Sequence, residues 1–252
     1  MTDKIIHQAA KRLKSEGVVE KLTKLGKPLF LVISGSHGFG YASESSDVDV
    51  RGVYIAPTKK FLGMRRIATE PTFEYMSQDR MLDVSVDEVG HYINVVERSN
   101  GERVEWPSSR LLLAASPEYI ELRDIINSAG LSKRQAGYYV HLPRDIRAGK
   151  KPAKGIKGDI YAMRTYLAGI MLFEQGRIMS DISDLGRELD VPTVDELINL
   201  KKQGTEYDPR KFERVFNELD SRLIRAIENS SLPDRPDIDK LNKYLVELRK
   251  QY

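Results

Sequence analysis

One segment, residues 31–55 (LVISGSHGFGYASESSDVDVRGVYI), constrains this chain more than any other. An apolar run over 29–33 is closed by Ser34, Gly35 and Ser36, as expected of a strand buried on both faces that ends in a tight turn. A ten-residue stretch (37–46) follows, and an Asp-x-Asp then opens a second strand. Over 47–55 the residues alternate, with Val48 and Val50 on one face and Asp47, Asp49 and Arg51 on the other. Gly35 lets the backbone turn and lets a bulky anion approach closely, while Ser36 offers a hydroxyl and a backbone N–H. A helix beginning there would aim further N–H groups at the same anion, which suits a triphosphate. Two carboxylates projecting the same way repel unless a cation lies between them. Mg²⁺ is the expected ion, because it takes one or two carboxylates and completes its shell with phosphate oxygens and water.

A third carboxylate is needed to hold two ions and to activate an incoming hydroxyl. The strand predicted over 81–86 supplies Asp83, which shares a face with Met81 and Ser85 while Leu82, Val84 and Val86 take the buried one. Asp87 and Glu88 sit where a helix should begin and are accounted for as caps. A further strand is predicted over 72–76, and a helix follows from Asp87 through Tyr92, Ile93 and Val96.

Before this segment, Ile5, Ile6, Ala9, Leu13, Val19 and Leu22 recur near a helical period, so the opening residues predict an amphipathic helix rather than a signal peptide. From 109 onward the pattern is helical, over about 109–128, 132–148, 155–176, 180–189, 193–203, 209–229 and 236–251. Thr193 with Glu196 fits a capping box. The expected fold is therefore α+β: a small α+β domain over 1–108, then an all-helical domain over 109–252. The chain has no cysteine, which excludes disulfides and thiolate metal sites. His7, His37, His91 and His141 show no zinc spacing. No apolar run is long enough for a membrane span, and a cytoplasmic location is the default expectation. The net charge of +3 is too small to demand a nucleic-acid partner by itself.

The charge is unevenly spread, however. Between residues 143 and 157, Arg144, Arg147, Lys150, Lys151, Lys154 and Lys157 face the single acid Asp145, a local charge of +5. Lys59, Lys60, Arg65 and Arg66 form a second cluster, and both suit a phosphate backbone as RNA would present it. Lys157, Tyr161 and Arg164 fall at i, i+4 and i+7 of one predicted helix; the stripe either grips a triphosphate tail and a base or is a solvated face. Arg51 steadies a carboxylate or contacts phosphate, or else forms a structural ion pair. His37 either lines the triphosphate loop or lies at the surface. Trp106 is expected in the core or at a domain seam.

The Gly-Ser…Asp-x-Asp arrangement resembles the signature of the DNA polymerase β-like nucleotidyltransferase superfamily. More narrowly, SSDVDVRGVYIAP followed by LDVSVDEVGHYINVVERSNGERVEW is similar to the RNA-repair-pathway polymerase β-like nucleotidyltransferases, with weaker likeness through KGDIYAMRTYLAGIMLFEQG to ELINLKKQGTE. The chain departs from that pattern at SNGERVEW, where the family carries an Asn-Pro step; Asn100 and Glu105 match. The resemblance implies that the first domain is a polymerase β-like palm, a mixed sheet with flanking helices, and that the second closes over the nucleotide and the acceptor. It also implies that Asp47 and Asp49 bind two Mg²⁺ (or Mn²⁺) ions and that Asp83 binds one and helps deprotonate the acceptor. The chemistry implied is in-line attack on the α-phosphate of a nucleoside triphosphate with release of pyrophosphate. Its acceptor is expected to be an RNA 3′ hydroxyl, as in tRNA end repair. A protein or small-molecule hydroxyl and a non-catalytic nucleotide sensor are the alternatives.

Overall fold

The computed structural model describes residues 2–62, 71–98 and 100–252, so Arg65 and Arg66 of the second basic cluster lie outside the described residues. Five strands, β1 (Lys27–Ile33), β2 (Val48–Ile55), β3 (Thr72–Met76), β4 (Leu82–Glu88) and β5 (Leu112–Ala115), form one mixed sheet in the order β3-β4-β2-β1-β5. Only β2 and β4 run parallel; every other neighbouring pair is antiparallel. Strand alternation then sorts the sheet into two faces. Leu31, Ile33, Val48, Val50, Tyr54, Leu82, Val84 and Val86 form one, sealed by Ala9 and Leu13 of α1 (Thr2–Ser15) and by Val18 and Leu22 of α2 (Val18–Leu25). The single amphipathic helix expected at the start is thus two, because Gly17 turns the chain at a φ of 67°.

The opposite face meets the helices. α3 (Gly35–Gly38) is one turn after β1. α4 (Val89–Glu97) starts where β4 ends, and its cap is Glu88, whose side chain accepts from the Gly90 N–H at 2.8 Å. Asp87 is not a cap. It is fully buried, accepting from Thr72 Oγ1 at 2.8 Å and pairing with Arg103 at 3.2 Å. α5 (Gly101–Glu105) is capped by Asn100.

The helix expected over 109–128 gives way to β5 and then α6 (Glu118–Ile125), so the sheet takes in residues beyond 108. β5 is built of leucine and alanine, which favour helix: it is an edge strand, and Ala114 and Ala115 are exposed. Six more helices complete the chain: α7 (Ala136–Arg147), α8 (Gly155–Gln175), α9 (Ile182–Glu188), α10 (Thr193–Gln203), α11 (Glu213–Asn229) and α12 (Ile238–Arg249). α8 is apolar almost all round and is the axis on which α7, α9, α10 and α11 pack. The capping box expected at Thr193 is absent, since Pro192 holds the cap position of α10 without a side-chain bond. A real one occurs at Ser132 and Gln135, ahead of α7. One apolar cluster runs from the sheet through α4 to α8, α11 and α12, and Trp106 lies inside it, stacked on Tyr92 at 6.1 Å. Among the described residues no helix is long and apolar enough to cross a membrane.

Candidate active site

The parallel ladder sets Asp49 directly opposite Asp83, and Arg51 opposite Ser85. All four point away from the face sealed by α1 and α2, at the end of β2 and β4 where the chain enters both strands. Asp47 is half-buried and precedes β2 by one residue. Arg51 binds both strand carboxylates: its Nη2 donates to Asp49 Oδ1 at 3.0 Å and to Asp83 Oδ2 at 2.9 Å. These contacts fit an arginine that steadies the site carboxylates as well as they fit a structural ion pair.

The turn after β1 is built onto Asp49. The Ser34 N–H donates to the Asp49 carbonyl at 2.8 Å, and Gly35 adopts a φ of 57°. A Cβ on Gly35 would come within 1.7 Å of Asp49 Oδ2. Glycine is required here twice over, for the backbone angle and for the space. Gly35→Ala is therefore expected to displace the Asp49 carboxylate and to cost about 1–3 kcal/mol through the strained backbone alone. Denaturant unfolding measures the cost; wild-type stability and undiminished activity in this variant would contradict the packing argument.

Ser36 is buried and its hydroxyl has no partner among the described residues. His37 lies in the loop with Nε2 3.4 Å from the Ser46 carbonyl. The loop's other end is clamped by the helices. The Ile182 N–H donates to the Phe39 carbonyl at 2.9 Å, and Lys201 Nζ donates to the Tyr41 carbonyl at 2.5 Å. Phe39 stacks on Tyr161 at 6.1 Å.

Electrostatics mark Asp49 out. Burial, helped by the like charges of Asp47 and Asp83, pushes its carboxyl up from 3.8 to about 6, although Arg51 and Lys157 pull the other way. Only 18% of its side chain is exposed. Burial likewise raises the Tyr41 phenol, which also feels Asp49 and Asp47. Two carboxylates thus gather about one guanidinium, a third (Asp47) adds its charge to Asp49, and the donor set is all oxygen, the kind a hard divalent cation takes. Among the described residues no group of three or more His, Cys, Asp or Glu side chains is arranged so that it could hold a metal ion. Arg51 Nη2 instead holds positive charge between Asp49 and Asp83.

The predicted stripe on α8 does not stay together as one surface. Lys157 is exposed, Tyr161 is half-buried, and Arg164 is fully buried. Arg164 pairs with Glu105, donates from Nε to the Ser180 carbonyl at 3.2 Å and lies 3.9 Å from the centre of the Phe39 ring. Glu105 also accepts from the Tyr139 hydroxyl at 3.0 Å. The basic stretch divides as well. Arg144 makes a two-bond pair with Asp220 at 2.7 Å, and Arg147 pairs with Asp159 at 3.1 Å and Glu213 at 2.5 Å. Lys150 reaches Asp145 at 3.4 Å, while Lys151 and Lys154 are exposed. Near the sheet, Lys60 bonds the Leu25 carbonyl at 3.2 Å and Lys59 is exposed.

Sequence reasoning passed over Tyr41 and Lys201, both beside this site. Nothing local marks them. Tyr41 reads as a loop aromatic, and Lys201 as one of the bases common in a helix's last turn.

Similar proteins include the following two. The uncharacterized protein YcgL of Bacillus subtilis (strain 168) is 26% identical over 243 residues, covering 90% of this chain and 87% of that protein. A crystal structure of a nucleotidyltransferase-like protein from Exiguobacterium sibiricum 255-15 is 13% identical, covering 97% of this chain and 80% of that one at a TM-score of 0.30. The family described as RNA repair pathway DNA polymerase beta family, RlaP, matches residues 1–247, and the chain belongs to that family of polymerase β-like nucleotidyltransferases.

Proposed function

We propose that this protein transfers a nucleoside monophosphate from a nucleoside triphosphate to the 3′ hydroxyl of an RNA, releasing pyrophosphate. The observation that carries the reading is the pairing of Asp49 with Asp83 across parallel strands, with the Gly35–Ser36 turn closed onto Asp49. Crowded carboxylates at an all-oxygen site favour Mg²⁺ or Mn²⁺, held by Asp47, Asp49 and Asp83. Bound ions would neutralise phosphate charge and make the acceptor hydroxyl easier to deprotonate. The chain's own residues do the remaining work. Gly35 leaves room for phosphate beside Asp49, and Ser36 has a hydroxyl to give. Asp83, the more exposed of the strand pair at 31%, is placed to receive the acceptor proton.

The RNA assignment is supported by the family description and by exposed lysines, Lys151 and Lys154, with Lys150 only loosely tied. Arg144 and Arg147 are engaged with acids of neighbouring helices. Replacing Lys151 and Lys154 by Ala together is expected to lower the salt slope of RNA binding by about two, one per lost phosphate contact. Arg144→Ala should leave that slope unchanged. Equal slopes for all three proteins would remove the lysines from the RNA interface.

The decisive test incubates folded protein with Mg²⁺ or Mn²⁺, labelled triphosphates and an RNA pool. Label on RNA 3′ ends is the expected result. Label on protein instead would move the acceptor to a protein hydroxyl, and no label on any acceptor would overturn the proposal.

A further inference from the structure

The outer face of α1 carries Lys4, His7, Lys11 and Lys14, all exposed. At 3.6 residues per turn the four fall within about 80° of arc. The opposite side of the helix is the one that buries Ala9 and Leu13 in the sheet core, with Ile5 and Ile6 packed beside them. Asp3, the acid nearest the stripe, sits in the first turn, where the helix dipole accounts for it. No acid stands three or four residues from any of the three lysines.

Other outward helices are built differently. α9 pairs Arg187 with Asp184, α11 pairs Arg214 with Glu218, and α12 pairs Lys240 with Asp237 and Lys250 with Glu247, each within one turn. Even Arg12, on the flank of the stripe, has Glu16 at 2.8 Å and Asp79 at 2.9 Å. Among the described residues Lys4, Lys11 and Lys14 have no carboxylate within ion-pair distance. Lys11 and Lys14 instead stand one turn apart as like charges, a small cost to the helix that an external anion offsets.

The placement of the stripe says which anion. α1 packs against β5 at one edge of the sheet, and its last turn is bonded to the hairpin at the other. Arg12 binds Asp79 in the turn that opens β4, and just past the helix Glu16 accepts from the Tyr75 hydroxyl of β3 at 2.8 Å. Asp83 is the second residue of β4, so this end of α1 lies at the same end of the sheet as the site acids, on the opposite face. From Lys4 to Lys14 the stripe runs about 15 Å, the reach of about four phosphates along one duplex strand.

We propose that this face of α1 is an interaction surface for the phosphate backbone of RNA. It holds the body of the acceptor behind the sheet, while the 3′ end passes around the sheet's end to the acids. The proposal rests on the RNA-acceptor reading above, and the surface is separate from Lys151 and Lys154 of the helical half. A bilayer does not fit it, because the apolar side of α1 is buried in the core and leaves nothing to insert.

The test is fluorescence anisotropy of the full chain with two probes, an RNA hairpin bearing a single-stranded 3′ end and a trinucleotide, at several salt concentrations. Replacing Lys4, Lys11 and Lys14 together by Gln is expected to lower the salt slope for the hairpin by about three, one per lost phosphate contact. Trinucleotide binding should be unchanged, and the variant should melt no lower than the parent protein, since a repulsion has been removed. A charge-matched control, Lys240→Gln with Lys243→Gln and Lys250→Gln on α12, should keep the parent slope. An unchanged slope in the α1 variant, an equal loss in the α12 control, or no hairpin binding by the parent protein overturns the surface. So does equal weakening of the trinucleotide, which would put the lysines at the 3′ end. Lysine-dependent binding of polyglutamate with none of RNA would give the face to an acidic protein and also overturn it. Lysine-dependent hairpin binding in a protein that labels no acceptor would support the surface while sinking the transfer reading.

Discussion

Replacing Asp49 by Ala is expected to reduce nucleotidyl transfer by about a thousandfold or more, the scale of several kcal/mol of lost transition-state charge stabilisation. Its effect on metal-free stability should have the opposite character. Asp49 is buried beside Asp47 and Asp83, so its charge is a burden to the fold without a cation. The variant should therefore unfold no more easily than the parent protein in chelator, with Arg51 still bound to Asp83. A residue that only held the sheet together would give the reverse: lost stability along with lost activity.

The same carboxylate predicts a pH dependence. The unfolded chain releases the Asp49 proton near 3.8 and the folded one near 6. Between these values the native state binds more protons, so this group's contribution to metal-free stability falls as pH rises through the window. Chelator-treated parent protein should lose stability relative to Asp49→Ala as pH rises from about 4 to about 6. Mg²⁺ binding should run the other way, weakening as pH falls through about 6, because a protonated carboxyl holds no cation. Parallel melting curves for the two proteins across that range would contradict the raised pKa.

Arg164→Ala is expected to be the most destabilising single change at the seam between sheet and helices, by about 3–5 kcal/mol, because it leaves the Glu105 carboxylate buried and unpaired. Glu105 is 3% exposed and keeps only the Tyr139 hydroxyl as a partner when the guanidinium goes. The loss extends to Phe39, over which Arg164 stacks, and so to the loop leading to Asp47. Glu105→Gln in the Arg164→Ala background should recover part of the loss, since a neutral amide is cheaper to bury than a lone charge. Denaturant unfolding of the two single variants and the double variant measures this coupling. Independent, additive effects would mean the pair does not act as a unit.

These two residues show what could and could not be read from sequence. Asp49 was legible because strand alternation and a glycine-serine turn are local patterns, and the ladder then paired it with Asp83 as strand parity implied. The helices of the second half were legible from periodicity, α10 to the residue. What failed depended on long-range partners. Arg164 looked like part of a surface stripe because its period matches Lys157 and Tyr161; its burial is decided by Glu105, far away in the chain. Arg144 and Arg147 looked like free positive charge because Asp220 and Glu213 are distant in sequence and Asp159 lies just past the basic stretch, on the next helix. β5 was missed because its leucines and alanines favour helix, and pairing with β1 alone makes it a strand.

The parallel pairing of β2 with β4 has a kinetic consequence. Unlike a hairpin, it cannot form from adjacent residues, so it demands a long loop closure before any contact rewards it. A slip of one residue would turn Asp83 to the sealed face and bring Leu82 out. Asp49 and Asp83 therefore meet only after this slow, register-selective step. Until β2 and β4 are paired in that register the two carboxylates are apart, so the acid pair belongs to the finished sheet alone.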